Sequence, residues 1–170
     1  MKKKNLLLML LAVMALLLIP VSVQAAAAKP GTVKLSSIKD VDYNKINIKW
    51  KKPSGKFTNY CIYYREKNSN GKWIRIKTVN NKTLSYTHTS SAKYPIVTGE
   101  TYQYTVRAYN KKSKQYGNYN KSGLTTKTRP QQVKLTGISY DEDEGVTITW
   151  NKAGGAYLYS CLLYTSDAAD

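Results

Sequence analysis

The chain has 170 residues, a formal net charge of +17, 15 Tyr, 2 Cys and 1 His. That length suits one domain, or one and part of a second. The basic excess favours anionic partners, and one histidine beside two cysteines is a poor basis for a transition-metal site or a nucleophile–base constellation.

Lys2, Lys3 and Lys4, the uncharged apolar run 6–19, Pro20 and the small residues after Val23 predict a secretory signal peptide over residues 1–25. The run is shorter than the ~20 residues a membrane span requires, so the membrane is expected to serve only export, with an uncleaved anchor as the alternative. The remainder is then secreted or displayed on the cell surface. Residues 26–30 are a small-residue lead-in. Val33, Leu35 and Ile38 mark a first strand over 33–38, and 40–44 is polar and turn-like. Ile46-Asn47-Ile48-Lys49-Trp50 alternates apolar and polar residues, the period of a strand buried on one face. Pro53-Ser54-Gly55 turns the chain.

In the third strand Tyr60, Ile62 and Tyr64 share one face and Cys61 lies on the other. Asn68-Ser69-Asn70-Gly71 is a tight-turn signal. Strands follow over 73–79 and 83–87. Residues 90–98 are irregular and contain Pro95. Over 101–109, Tyr102, Tyr104, Val106 and Ala108 fall on one face, with Gln103, Thr105 and Arg107 on the other. A basic loop spans 110–117, and a strand over 124–128 closes the unit. Seven short strands with turns every ~8–12 residues predict two antiparallel sheets packed face to face.

After Arg129-Pro130 the pattern restarts. Val133-Lys134-Leu135 repeats Val33-Lys34-Leu35, Ile138 repeats Ile38, Trp150 repeats Trp50 and Gly155 repeats Gly55, each at the same spacing. A constant offset is the signature of an internal repeat. Residues 31–129 are therefore expected to form one complete domain and 130–160 a truncated second one, whose third strand begins at Ala156-Tyr157-Leu158-Tyr159. The last ten residues, 161–170, are similar to a translated sequencing adapter. They are read as foreign to the fold, and the chain as a fragment.

These residues resemble the fibronectin type III module of secreted or surface bacterial proteins. The carriers are Trp50 and Trp150 ending the second strand of each repeat, Tyr60-Cys61-Ile62-Tyr63 in the third strand, and Tyr102-Gln103-Tyr104-Thr105-Val106-Arg107-Ala108 in the sixth. The resemblance implies an all-β, immunoglobulin-like sandwich, an N-terminal signal helix and an incomplete second sandwich. It also implies that Trp50 packs in the core and that Tyr102 makes a tyrosine corner. Alternation adds Tyr60, Ile62, Tyr104 and Val106 to that core. Arg-Gly-Asp, the family's cell-binding tripeptide, is absent, so integrin-type binding by that motif is not expected.

No catalytic, cofactor-binding or metal-ligating set stands out, and no cofactor is expected. Cys61 reads as a lone surface thiol, since Cys161 belongs to the suspect tail. His88 reads as structural or solvent-exposed. Half of the credible carboxylates lie together at Asp141-Glu142-Asp143-Glu144, which does not supply two carboxylates across a cleft. That stretch reads as a solvated loop, with a weak calcium site as the alternative. Lys111, Lys112, Lys114, Tyr116 and Tyr119 form a basic, aromatic stretch suited to an anionic cell-wall or extracellular polysaccharide. Nucleic acid would select similar residues, but export argues against it as the primary partner. The expected function is a non-catalytic extracellular spacer and interaction module. The alternatives are an ancillary module of a secreted polysaccharide-degrading enzyme, or a binder of anionic glycans through the Lys/Tyr stretch.

Overall fold

The structure, a computed structural model, describes residues 29–162. The expected signal peptide with its helix and most of the adapter-like tail (163–170) lie outside the described residues. The described part is built from strands: β1 (Lys34–Asp42), β2 (Lys45–Lys51), β3 (Asn59–Glu66), β4 (Ile74–Asn80), β5 (Ser85–Thr89), β6 (Thr101–Asn110), β7 (Gln115–Tyr116), β8 (Leu124–Lys127), β9 (Lys134–Asp141) and β10 (Gly145–Asn151). One sheet has the order β1-β2-β5. The larger sheet runs β4-β3-β6-β7, with β8 also paired to β6. All pairs are antiparallel. The fold is the all-β sandwich that the alternation predicts.

The register explains the core. Tyr60, Ile62 and Tyr64 of β3 face Ala108, Val106 and Tyr104 of β6, and all six are buried. Ile46, Ile48 and Trp50 of β2 come in from the opposite sheet, with Val33, Phe57 and Ile96 closing the ends. Trp50 meets Tyr60 edge to face at 5.4 Å, and Phe57 tilts onto the same phenol ring at 5.0 Å. Such pairs add ~0.5–1.5 kcal/mol each beyond the area they bury. The Tyr102 hydroxyl accepts a hydrogen bond from the Val97 N–H at 2.8 Å, tying β6 to the irregular segment before it.

Two polar groups sit unpaired in this aromatic core. The Trp50 indole N–H and the Tyr60 hydroxyl are both buried, and neither makes a hydrogen bond of good geometry. Burial pushes the Tyr60 phenol up, and the nearby indole N–H pulls it back part of the way. A buried hydroxyl without a partner carries its desolvation cost uncompensated, about 1–3 kcal/mol. Tyr60→Phe is therefore expected to leave stability unchanged or raise it by up to ~1 kcal/mol, read from the urea midpoint at constant m-value.

The sequence-predicted boundaries shift where local hydrogen bonds override them. β1 runs four residues beyond 38, because Asp40 and Asp42 pair with Ile46 and Lys45 through a bulge and leave only Tyr43-Asn44 for the turn. β5 begins at Ser85 rather than 83. The Asn80 carboxamide oxygen accepts from Lys82 N–H and Thr83 Oγ1, holding those residues in a turn. Part of the expected basic loop is a short strand, since Tyr109 and Asn110 pair with Tyr116 and Gln115.

The second repeat stops earlier than expected. β9 and β10 make a hairpin, but Ala156-Tyr157-Leu158-Tyr159 forms no strand; in the first repeat the corresponding strand, β3, pairs with β4 and β6, and the second repeat has no counterpart of those strands among the described residues. Trp150 is 41 % exposed against 2 % for Trp50. It leans on Tyr159 at 5.7 Å, and the Tyr159 hydroxyl accepts from the Ala153 N–H. Leu135, Ile138 and Tyr140 remain exposed. One hairpin cannot cover its own apolar face.

Candidate functional site

The outer face of the larger sheet carries an organised layer of polar and aromatic side chains. Alternation sends Cys61, Tyr63 and Arg65 of β3 to that side, opposite Arg107, Thr105 and Gln103 of β6. The three β6 side chains do not end in solvent. Arg107 Nε donates to the Gly117 carbonyl at 2.8 Å, Thr105 Oγ1 to Asn120 O at 3.0 Å, and Gln103 Nε2 to Ser122 O at 2.8 Å. Together they lay residues 117–122 across the sheet. Gly117 is required at the start of this crossing. A Cβ there would lie 2.6 Å from the Gly31 carbonyl oxygen, a backbone atom that cannot swing away.

The crossing segment brings Tyr119 onto the sheet. Its ring meets Tyr63 edge-on at 5.4 Å and lies nearly parallel to the Trp73 indole, centroids 6.4 Å apart. The Arg107 guanidinium stands 4.1 Å over Tyr119 and 4.7 Å over Tyr116, and Arg65 stands 4.5 Å over Trp73. Cations over ring faces are worth ~0.5–1 kcal/mol each at exposed sites. The result is a continuous series, Arg65–Trp73–Tyr119–Arg107–Tyr116. Burial pushes the Tyr63 phenol beneath it up to about 12, with Cys61 and Tyr119 adding to the push.

This layer also corrects the reading of Cys61. The thiol is free, as is Cys161, but Cys61 is buried rather than on the surface. Its sheet face is roofed by rings and guanidinium groups instead of water, and Sγ lies 3.7 Å from Thr78 Oγ1.

An open depression of about 640 Å³ lies within the layer, lined by Thr32, Trp73, Arg107, Asn118, Tyr119 and Lys121. No carboxylate lines it. Among the described residues the ion pairs are Lys45–Asp42 and Arg129–Asp40, so the charges of Arg65, Arg107 and Lys121 are not cancelled by an acid.

The sequence-predicted ligand residues are divided between two places. Lys111, Lys112 and Lys114 stand exposed on the β6–β7 turn, where the Asn110 carboxamide oxygen accepts from Lys112 N–H at 3.0 Å. They enter neither the cation–ring contacts nor the lining of the depression. Tyr116 and Tyr119 belong instead to the layer on the sheet. Trp73, Arg65 and Arg107 were not among the predicted ligand residues, though Arg107 was already placed on the outward side of its strand.

The remaining candidates lie away from this face. His88 is buried, with Nδ1 2.7 Å from the Tyr104 hydroxyl and Nε2 3.2 Å from the Tyr94 carbonyl oxygen. A carbonyl can only accept, so Nε2 carries the proton and Nδ1 accepts from Tyr104. The Asp141 carboxylate turns onto its own loop and accepts from the Asp143 and Glu144 N–H groups, which hold its pKa below the ordinary range. Among the described residues no three His, Cys, Asp or Glu side chains converge as metal ligands.

The family model for the fibronectin type III domain matches residues 28–121. Among solved structures, a fourth FNIII domain from human is similar, with 18 % identity and a TM-score of 0.50, covering 64 % of this chain and 87 % of that one. The FN5 domain of Drosophila Lar aligns at 22 % identity and a TM-score of 0.41, covering 61 % of this chain and 97 % of that one. No curated protein matches.

Proposed function

Since the chain belongs to the fibronectin type III family, we propose that residues 31–129 act as an extracellular spacer and interaction module of a secreted or surface protein, joined at 130 to a second copy of the same repeat. Domains of this family are β-sandwich modules often used as spacers or interaction domains, are generally non-catalytic, and occur mostly in extracellular or surface proteins.

The observation that carries the spacer reading is the joint. Arg129 reaches both oxygens of Asp40, at 3.0 and 3.3 Å. Gln131 Nε2 donates to Asp42 Oδ1 at 2.8 Å, while its Oε1 accepts from Gly154 N–H at 2.9 Å. Gly154 and Gly155 come so close to Tyr43 and Thr98 that added Cβ atoms would collide with them. The linker is thus laid along the end of the β1–β2 hairpin, and the second repeat starts from a set position. The exposed Arg129–Asp40 pair contributes at most ~1 kcal/mol. The Gln131 bonds and the close glycine contacts do more to fix the geometry.

A spacer must resist force as a unit. Pulling the full chain from tags at its two ends is expected to give one dominant extension step of about 300 Å, the contour of residues 31–129 at ~3.3–3.6 Å each less the folded length. A sequence of several small steps, or extension without resistance, contradicts the reading.

A further inference from the structure

We propose that the depression between Trp73, Tyr119, Arg107 and Lys121 is a binding site for an acidic saccharide. It takes a pyranose ring against the aromatic faces and that ring's carboxylate or sulfate against the two cations. This deepens the interaction-module reading by naming the site and the ligand class. Its failure is distinguishable, because the pulling trace depends on the core and not on this face.

Three observations converge. First, the volume, about 640 Å³, lies within the ~300–1,000 Å³ of small-molecule sites; it suits one or two sugar rings. Second, the rings are displayed and oriented. Trp73 and Tyr119 are near parallel, 14° apart, and both only half-buried. Arg65 stands on one face of Trp73 and Arg107 on one face of Tyr119, so a pyranose meets the ring surface that the cations leave uncovered. The C–H faces of a pyranose carry the same slightly positive character that draws those cations to the rings.

Third, Arg107 is pre-aimed. Its Nε is committed to the Gly117 carbonyl, which fixes the plane of the guanidinium. Its terminal nitrogens make no hydrogen bond within the described residues and are free to meet an anion in bidentate fashion. Lys121, which also lines the depression, is exposed and has no acidic partner among those residues. Asn118 accepts from Lys29 Nζ at 2.6 Å through Oδ1, leaving its N–H₂ for a sugar hydroxyl. Thr32 supplies a hydroxyl of its own.

The same chemistry argues for a saccharide over a nucleic acid. A single-strand track needs cations repeated along a groove to follow successive phosphates. Here Arg107 and Lys121 line one depression, Lys111, Lys112 and Lys114 stand on the separate β6–β7 turn, and Arg65, the other cation of the series, is engaged over Trp73 outside the lining of the depression.

The test titrates the full chain with tetragalacturonate, with maltotetraose as the neutral counterpart and a ten-residue thymidylate as the nucleic-acid arm, at low and at physiological salt. Tetragalacturonate is expected to bind and to change the tryptophan fluorescence, a change that Trp73→Ala removes. Maltotetraose is expected to bind at least tenfold more weakly. Trp73→Ala and Arg107→Gln should each lose about tenfold or more. Lys121→Glu, at an exposed position outside the core, should lose at least as much. The triple variant Lys111→Ala, Lys112→Ala, Lys114→Ala should stay within about twofold of wild type. The proposal is overturned if Lys121→Glu binds as well as wild type, if the triple-lysine variant abolishes binding, if thymidylate binds as tightly as tetragalacturonate, or if tetragalacturonate does not bind at low salt.

Discussion

Trp50→Ala is expected to cost about 3–5 kcal/mol, the range for deleting a large buried aromatic side chain, which is a large part of the ~5–15 kcal/mol that holds a typical domain together. Trp50 is 2 % exposed, and its indole is the contact through which β2 reaches Tyr60 on the facing sheet. The void left by its removal is bounded by β-sheet backbone on both sides, so collapse can refill little of it. The paired experiment is Trp150→Ala. Trp150 holds the same place in the repeat but is 41 % exposed on a hairpin with no facing sheet. Its removal should cost less than about 1 kcal/mol, as for substitutions outside a packed core. Equilibrium urea unfolding of both variants reads the difference directly. Equal costs would mean that burial in the sandwich is not what makes the first tryptophan important.

The second large effect concerns acid. His88 is buried between Tyr104 and Tyr64, its ring 4.9 Å from the Tyr64 ring, and neutral with Nε2 protonated. Burial pulls its pKa below the ordinary histidine value, and the Tyr94 carbonyl opposes this more weakly. The unfolded chain, with an unperturbed ring near pKa ~6.5, therefore takes up the proton first. The stability His88 contributes is complete above about pH 6.5 and is lost as pH falls below it, at no more than ~1.4 kcal/mol per pH unit for one proton. The carboxylates whose pKa values are lowered, Asp40 chiefly by Arg129 and Asp42 chiefly by Lys45, lose their contributions only in the carboxylate range, below about pH 4. Between pH 7.5 and 5 the histidine is the group to watch. His88→Ala should cost about 2–4 kcal/mol at neutral pH, combining a cavity with an orphaned Tyr104 hydroxyl, and its urea midpoint should be flat across that window. A variant midpoint that still falls like wild type between pH 7 and 5 would assign the acid sensitivity to another group.

The parts of the fold that were legible in the sequence are those where a single period decides the outcome. Ile46, Ile48 and Trp50 alternate cleanly, as do Tyr102, Tyr104, Val106 and Ala108, and each set lies in the core. The parts that were not legible depend on a second layer of contacts. Alternation assigns Cys61, Tyr63 and Thr105 to the outer face, and a strand pattern has no means of saying that this face is roofed. Burial there comes from residues 117–122, pinned by Gln103, Thr105 and Arg107 through carbonyls that no side-chain pattern announces. For the same reason the predicted ligand residues divide between two places. Tyr116 and Tyr119 lie beside the lysines in sequence, whereas the sheet gathers them with Arg65 of β3, Arg107 of β6 and Trp73 just before β4. One arginine at an outward position on each of β3 and β6, Arg65 and Arg107, with Tyr116 and Tyr119 following in sequence, was the available signal.

The most direct measurement is residue-resolved native-state hydrogen exchange of the full chain. If one sandwich over 31–129 is the cooperative unit, the amides of Ile48, Ile62 and Val106 open only with global unfolding. Those of Ile138 and Ile148 should then exchange at least about a hundredfold faster, as a locally opening hairpin does. Equal protection in the two sets, or rapid exchange at Ile62 and Val106, would contradict it.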